Sequence, residues 1–215
     1  MLISTDLPID RDRFARHDQI LTITGANWLD YQNFDSQEYP GYRVSYFNGE
    51  ITIVSPGRNH ERIAAVINRL IIAYCEKYEL QDFPFGQTRL NVWGQAGREP
   101  DLAYAFNSDK DLPDLVVEVI FSKEARRGFL AMSKSCFSSG DIETLKSSYK
   151  NIGIRELWIW KDNVMTFYLL EQDNYTVIEA SNILTTIISR KLAQYVNRGI
   201  TESPVVIKRD FFKVI

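Results

Sequence analysis

Two carboxylates, Asp101 and Glu118, have the residue type and the spacing of a metal site. Glu118 interrupts the apolar run Leu115 to Phe121, which is typical of a strand covered on both faces. A buried carboxylate is costly unless it is paired, protonated or bound to a cation. Asp101 opens the run Leu102 to Phe106, so the two acids stand side by side if the two strands are neighbours. Convergent carboxylates suit a hard divalent cation such as magnesium.

Each candidate residue in this region also has a structural interpretation. Asp101 can cap a turn, and Glu118 can pair with an arginine. Glu61 falls in the first turn of a helix predicted from Asn59, where the helix dipole favours a carboxylate. His60 beside it is interpreted either as a surface or capping histidine or as a catalytic one. The residue types alone leave these alternatives open.

Composition and charge define the broad class of protein. The chain has 215 residues, of which 45% are hydrophobic and 13% aromatic, and this predicts one globular domain with a real core. A net charge of −3 gives no global attraction to nucleic acid, so such binding needs a local basic patch. Two cysteines argue against a disulfide scaffold or a zinc site. Without a signal-peptide core or an apolar run of ~20 residues, we expect a cytoplasmic protein with no membrane partner.

The spacing of apolar residues predicts the elements that position these side chains. Asn48-Gly49 between two alternating runs predicts a hairpin with a type I′ turn. Helical spacing from Asn59 to Tyr78 predicts the main core helix, and Pro84 indicates a turn over residues 81–86. The further expectations are a short helix at Trp28, Leu29 and Phe34, a strand over residues 87–93, the strands Leu102 to Phe106 and Leu115 to Phe121, a helix over Asp141 to Asn151 ended by Gly153, a hairpin around Asp162-Asn163 with a further strand after it, and a closing helix over Ile183 to Asn197.

These elements predict one domain over residues 24–200, with a lead-in over 1–23 and a C-terminal tail over 201–215. Ser122 to Phe137 carries the densest excess of positive charge. It is either a basic arm that touches phosphates or a solvated loop. The glycine motifs of phosphate-binding and dinucleotide-binding loops are missing from the sequence, which excludes nucleotide binding through those loops.

Four motifs follow one another in a characteristic order: Y-F-N-G-E-I-T-I-V-S-P-x-x-x-H-E, E-P-D-L-A-Y, P-D-L-V-V-E-V and S-G-D-I-E-T-L-K-S-S-Y-K-N-I-G-I-R-E-L-W-I-W. As an ordered set they resemble the Uma-two family of restriction-endonuclease-like proteins, over roughly Gly25 to Asn197. The resemblance implies the PD-(D/E)XK nuclease fold. This is an α/β fold with a central mixed sheet flanked by helices.

The resemblance also implies a reaction and a site. The reaction would be metal-assisted hydrolysis of DNA phosphodiesters by an endonuclease. Asp101 and Glu118 would hold magnesium or manganese, and Glu61 would complete the site. DNA would be the partner. A homodimer is a further expectation. The competing hypothesis is a non-catalytic module that keeps the fold as a binding or dimerisation platform, because fold does not determine function.

The catalytic lysine of the family comes from the helix after the second acid. Counting back from Tyr149 places it at Leu145, whereas counting forward from Gly140 places it at or near Thr144. Lys146 is the nearest lysine, and we assign it the catalytic role of orienting the attacking water. A helix turns ~100° per residue, so this assignment requires a looser helix start that lets Lys146 reach the cleft.

Overall fold

The computed structural model describes residues 18–33, 41–86, 88–121 and 139–215. Two β-sheets and flanking helices form a mixed α/β fold in these ranges, which confirms the predicted fold class. The predicted basic segment, Ser122 to Phe137, lies outside the described residues, as do the first 17 residues of the predicted lead-in.

The elements are numbered in chain order. The strands are β1 (Gln19–Thr24), β2 (Arg43–Phe47), β3 (Glu50–Ser55), β4 (Asp82–Pro84), β5 (Leu90–Val92), β6 (Ala96–Arg98), β7 (Leu102–Phe106), β8 (Leu115–Ile120), β9 (Glu156–Lys161), β10 (Val164–Glu171) and β11 (Asn174–Ile178). The helices are α1 (Trp28–Gln32), α2 (Arg58–Tyr78), α3 (Ser139–Ile152), α4 (Ser189–Val196) and α5 (Pro204–Phe212), with a 3₁₀ helix over Asn197–Ile200.

The central sheet has six strands in the order β11-β10-β9-β8-β7-β4. Strands β8 and β9 are parallel and the other neighbours are antiparallel, so the predicted mixed sheet is confirmed. Strand β8 is almost entirely apolar because both its faces are covered. Leu115, Val117 and Val119 belong to the core that includes α2, whereas Val116 and Ile120 belong to the core that includes α3.

A second, antiparallel sheet has five strands in the order β1-β3-β2-β6-β5. Its β2–β3 hairpin turns at Asn48 and Gly49, which have φ values of 50° and 76°, and this confirms the predicted hairpin. Both residues need a positive φ in a type I′ turn, which is why this pair favours it. The motifs predict a single central sheet, so the separate sheet around this hairpin is an addition.

Three helices agree with the sequence pattern in position. Helix α2 buries its apolar stripe, and α3 ends at Ile152, immediately before Gly153, whose φ is 93°. Helix α1 is capped by Asn27, whose side chain accepts hydrogen bonds from Leu29 N and Asp30 N. Its packing differs from the prediction, because Leu29 is exposed and Tyr31 is buried instead. Phe34, the other predicted contact, lies outside the described residues.

Two predictions of local structure were wrong. The predicted turn over residues 81–86 contains β4, because Asp82–Pro84 pairs with β7 and extends the central sheet. The closing helix was expected from Ile183, but α4 begins only at Ser189. The amides of Ile183 and Leu184 donate to nearby side chains instead, and this competes with helix formation.

The packed region extends beyond residues 24–200 at both ends. Strand β1 pairs with β3 from Gln19 onwards. The predicted C-terminal tail contains α5, which packs against α2 and buries Ile207 and Phe211 in the main core. Lys208 of α5 also bonds Glu76 of α2.

A buried carboxylate at the start of β9 organises the connection to α4. Glu156 Oε1 accepts hydrogen bonds from Trp158 Nε1 at 2.7 Å and from Ser181 Oγ at 2.6 Å. Its Oε2 accepts from the amides of Asn182 at 3.0 Å and Ile183 at 3.2 Å. Burial raises the pKa of Glu156, while these hydrogen bonds lower it. The side chain therefore serves as the acceptor for the segment that precedes α4.

Replacing Glu156 with alanine is expected to destabilise the fold by at least about 3 kcal/mol, because each buried donor left unsatisfied costs about 1–3 kcal/mol. Urea unfolding followed by far-UV circular dichroism measures this change. Glu171→Ala, at the exposed end of β10, is the matched control and should stay within about 0.5 kcal/mol of wild type. Equal effects of the two substitutions would contradict the structural role of Glu156.

Candidate active site

The antiparallel register of β7 and β8 brings the two predicted acids together. Leu102 stands opposite Val117, so Asp101 and Glu118 occupy neighbouring positions at the end of this ladder. The carboxylate of Asp101 reaches across and accepts a hydrogen bond from Val119 N at 2.6 Å. Asp101 and Glu118 line the same cavity, whose volume is about 70 Å³.

Asp101 is buried, and polar groups from three other elements surround its carboxylate. Its Oδ2 contacts Val119 of β8, whereas its Oδ1 lies 2.8 Å from His60 Nε2 in the first turn of α2. The guanidinium of Arg43, on β2, forms an ion pair with the same Oδ1. The site is therefore built where the two sheets and the N-terminus of α2 meet.

His60 is buried between two carboxylates. Its Nδ1 lies 2.9 Å from Asp18 Oδ2, and its Nε2 faces Asp101. The other oxygen of Asp18 accepts from Gly57 N at 2.7 Å, immediately before α2. The interpretation of His60 as a surface histidine was therefore wrong. The position of His60 beside Glu61 at the helix start was the available signal for a functional residue. That position gave no indication that Asp18 would be its partner.

Glu61 does not line the cavity. Its side chain is 55% exposed, and its Oε1 accepts from Arg43 Nη2 at 3.0 Å. Arg43 thus lies between Glu61 at the surface and Asp101 in the interior. The predicted acid of the helix start is connected to the site through this arginine.

Glu118 projects toward α3, where its Oε1 accepts a hydrogen bond from the hydroxyl of Tyr149. Burial raises the pKa of Glu118, while the bond from Tyr149 and the positive charge of Arg98 lower it. Burial and the adjacent Glu118 also raise the pKa of Tyr149, so the phenol stays protonated as a donor. A nearby cation would favour the ionised form of this carboxylate.

The lysine predicted on α3 is not brought to the cavity. Lys146 Nζ donates to Glu143 Oε1 at 2.7 Å and lies 5.1 Å from the centre of the Tyr168 ring. Leu145 lines the cavity instead. The two side chains diverge because successive residues of a helix are ~100° apart. Counting back from Tyr149 therefore identified a position that faces the cavity, and that position carries leucine.

Arg98 is a cavity residue that the sequence analysis missed. It ends β6 and donates through Nε to Ser148 Oγ of α3 at 2.9 Å. Its Nη1 lies 3.4 Å from Ser45 Oγ of β2. The one available signal was its position three residues before Asp101, which gave no indication of where its side chain would point.

Asp101 and Glu118 supply carboxylate oxygens, the kind of ligand that a divalent cation such as magnesium prefers. In the described ranges, no third His, Cys, Asp or Glu completes a metal-binding group with Asp101 and Glu118. Magnesium needs no such group, because it keeps several waters and is commonly bound through one or two carboxylates. Arg43 limits cation binding at this site, because its guanidinium already pairs with Asp101.

The sequence was compared with known proteins. A family model described as "Putative restriction endonuclease" (Uma2, the Uma-two family) matches residues 28–198, which is most of the chain. The chain belongs to the Uma2 family. This confirms the resemblance seen in the motifs and supports a nuclease-like function for this Uma2 protein.

Comparison with other proteins adds little to this assignment. The crystal structure of a protein titled a putative nuclease, from Anabaena variabilis, aligns with a TM-score of 0.49 and 11% identity, covering 79% of this chain and 98% of that one. No curated protein matches the sequence. Among the described residues of this Uma2 protein, no helix has the length and hydrophobicity to cross a membrane.

A double-mutant cycle of Arg43→Met and Asp101→Asn should give a coupling energy of about 2 kcal/mol or more, because removing one partner leaves a buried charge uncompensated. Chemical denaturation of the four proteins measures it. The matched control is the surface pair Lys208 and Glu76, for which the same cycle should give about 1 kcal/mol or less. Similar couplings for both pairs would contradict the buried ion pair at Asp101.

Proposed function

We propose that this Uma2 protein hydrolyses phosphodiester bonds of DNA in a reaction that depends on magnesium or manganese. The observation that carries the proposal is the convergence of Asp101 and Glu118 on one cavity. The family description as a restriction endonuclease supports the same reaction class. DNA as the substrate is part of this proposal, and the expected homodimer stays a prediction.

Asp101 and Glu118 are the residues that would hold the cation. Such a cation polarises a phosphate and lowers the pKa of a bound water. Tyr149 orients Glu118 through its hydroxyl, and Val119 N and His60 orient Asp101. The carboxylates are thus held in place by groups from β8, α2 and α3.

Arg43 neutralises Asp101 through their ion pair, and a bound cation would compete with it for this carboxylate. Because Arg43 also bonds Glu61, it keeps an acidic partner when its contact with Asp101 is lost. In this proposal Glu61 acts through Arg43 rather than as a cation ligand. Lys146 has no contact that supports the predicted role of orienting a water, since its ammonium faces Glu143 and Tyr168.

The second candidate function is a DNA-binding or dimerisation module without hydrolysis. Leu145 favours it, because leucine lines the cavity at the position counted for the family lysine. A leucine can neither orient a water nor stabilise negative charge. The two candidates differ in a single measurable property, which is turnover.

Nicking of supercoiled plasmid DNA in manganese tests turnover. We expect wild type to nick, and Glu118→Gln to nick at least about 100-fold more slowly, because a lost ligand costs more than the 10- to 100-fold of an outer residue. Lys146→Met is the matched control and should stay within about twofold of wild type, since its side chain lies outside the cavity. Absence of nicking by wild type favours the module without hydrolysis. Equal nicking by wild type and Glu118→Gln would contradict the role of Glu118 in turnover.

Isothermal calorimetry with magnesium and manganese tests the cation site independently of turnover. Wild type should bind at millimolar concentration or below, and Asp101→Asn should lose this binding because an amide oxygen carries no net charge. Glu171→Gln, which removes a carboxylate far along the sheet on β10, controls for nonspecific binding. If neither wild type nor Asp101→Asn binds, Asp101 and Glu118 have only a structural role.

A further inference from the structure

Arg98 stands between two cavities. The first is the cavity of Asp101 and Glu118, and the second, of about 270 Å³, opens beside it. Arg98 and Leu145 line both. The walls of the second cavity are rich in neutral polar groups, which are contributed by Thr22, Ser45, Asn48, Thr52 and Thr144. A second, polar cavity therefore lies next to the candidate active site, and Arg98 is part of the wall of both.

The charge of Arg98 is not neutralised by a direct contact. Its hydrogen bonds go to two neutral hydroxyls, those of Ser148 and Ser45. In the described part of the chain, no carboxylate lies within ion-pair distance of Arg98, whereas Arg43 pairs with Asp101 and Arg89 with Glu99. Arg98 is thus a positive charge that is held in position and remains available to an anion.

We infer that Arg98 binds a phosphate of the DNA strand at the junction of the two cavities, where the nuclease pattern has a helix lysine. The inference rests on the proposed function for the choice of DNA as ligand. Five carboxylates line the two cavities, and three of them, Asp18, Glu99 and Asp101, are paired with His60, Arg89 and Arg43. The other two, Glu118 in the first cavity and Glu50 in the second, oppose the binding of an anion. A cation held by Asp101 and Glu118 would offset the first, and a guanidinium binds phosphate through paired donors.

Helix α3 explains why Arg98 can replace the lysine in space. Leu145 lines the cavity, and Ser148, three residues later on the same helix face, receives the hydrogen bond from Arg98. The guanidinium therefore lies against the face from which a lysine at position 145 would project. A lysine introduced there should restore the charge that Arg98→Met removes.

Fluorescence anisotropy with a labelled DNA duplex in calcium tests this, because calcium takes carboxylate ligands as magnesium does and the readout is binding rather than turnover. We expect Arg98→Met to weaken binding about tenfold, which is about 1.4 kcal/mol. The slope of log affinity against log salt should fall by about one. Arg98→Met/Leu145→Lys should recover at least half of the lost free energy. Lys146→Met is the matched control, a cation removed from the same helix outside the cavity, and should change affinity less than twofold.

Arg98→Met affinity equal to wild type, or equal losses in Arg98→Met and Lys146→Met, would overturn the inference. Failure of wild type to bind DNA would overturn it as well. If Arg98→Met does not fold, Leu145→Lys alone decides, because an added cation at this junction should tighten binding and an unchanged affinity contradicts it. A wild type that binds but does not nick would refute only the proposed hydrolysis, since the effect of Arg98 is measured on binding.

Discussion

The carboxylate of Asp101 is the contact on which the arrangement of the site depends. It accepts from Val119 in the six-stranded sheet, pairs with Arg43 in the five-stranded sheet, and faces His60 at the start of α2. Three separately formed elements are thus oriented around one buried charge. A buried charge costs several kcal/mol unless partners contact all its acceptor positions. The relative positions of these elements therefore depend on the carboxylate of Asp101.

The cost of burying a charge also determines the electrostatics of the cavity. Asp101 is compensated by Arg43 in direct contact, whereas Glu118 has the hydroxyl of Tyr149 and the more distant positive charges of Arg98 and Arg43. Burial consequently raises the pKa of Glu118. Of the two candidate ligands, Asp101 is already paired, and Glu118 has no counter-ion in contact within the described part of the chain. A cation would compensate Glu118 while competing with Arg43 for Asp101.

Much of the fold could be predicted because its signals are local. Asn48-Gly49 specifies a turn through backbone conformation, and the apolar run around Glu118 specifies a strand covered on both faces. The burial of His60 depends instead on Asp18 and Asp101, which are 42 and 41 residues away in sequence. Such long-range pairing leaves no trace in hydrophobic periodicity, so this part of the site was not predictable.

The phase of α3 determined which predicted side chains reach the cavity. Tyr149 gave the correct register, and one position of difference directs Leu145 inward and Lys146 toward Tyr168. A long side chain can reach around a helix only when its charge gains a partner there, and Lys146 has a carboxylate at 2.7 Å on its own side. The side chain of Arg98 reaches the cavity directly, because β6 ends there. Arg98 on β6 can therefore supply the positive charge that Leu145 on α3 does not, and neither backbone has to change for this.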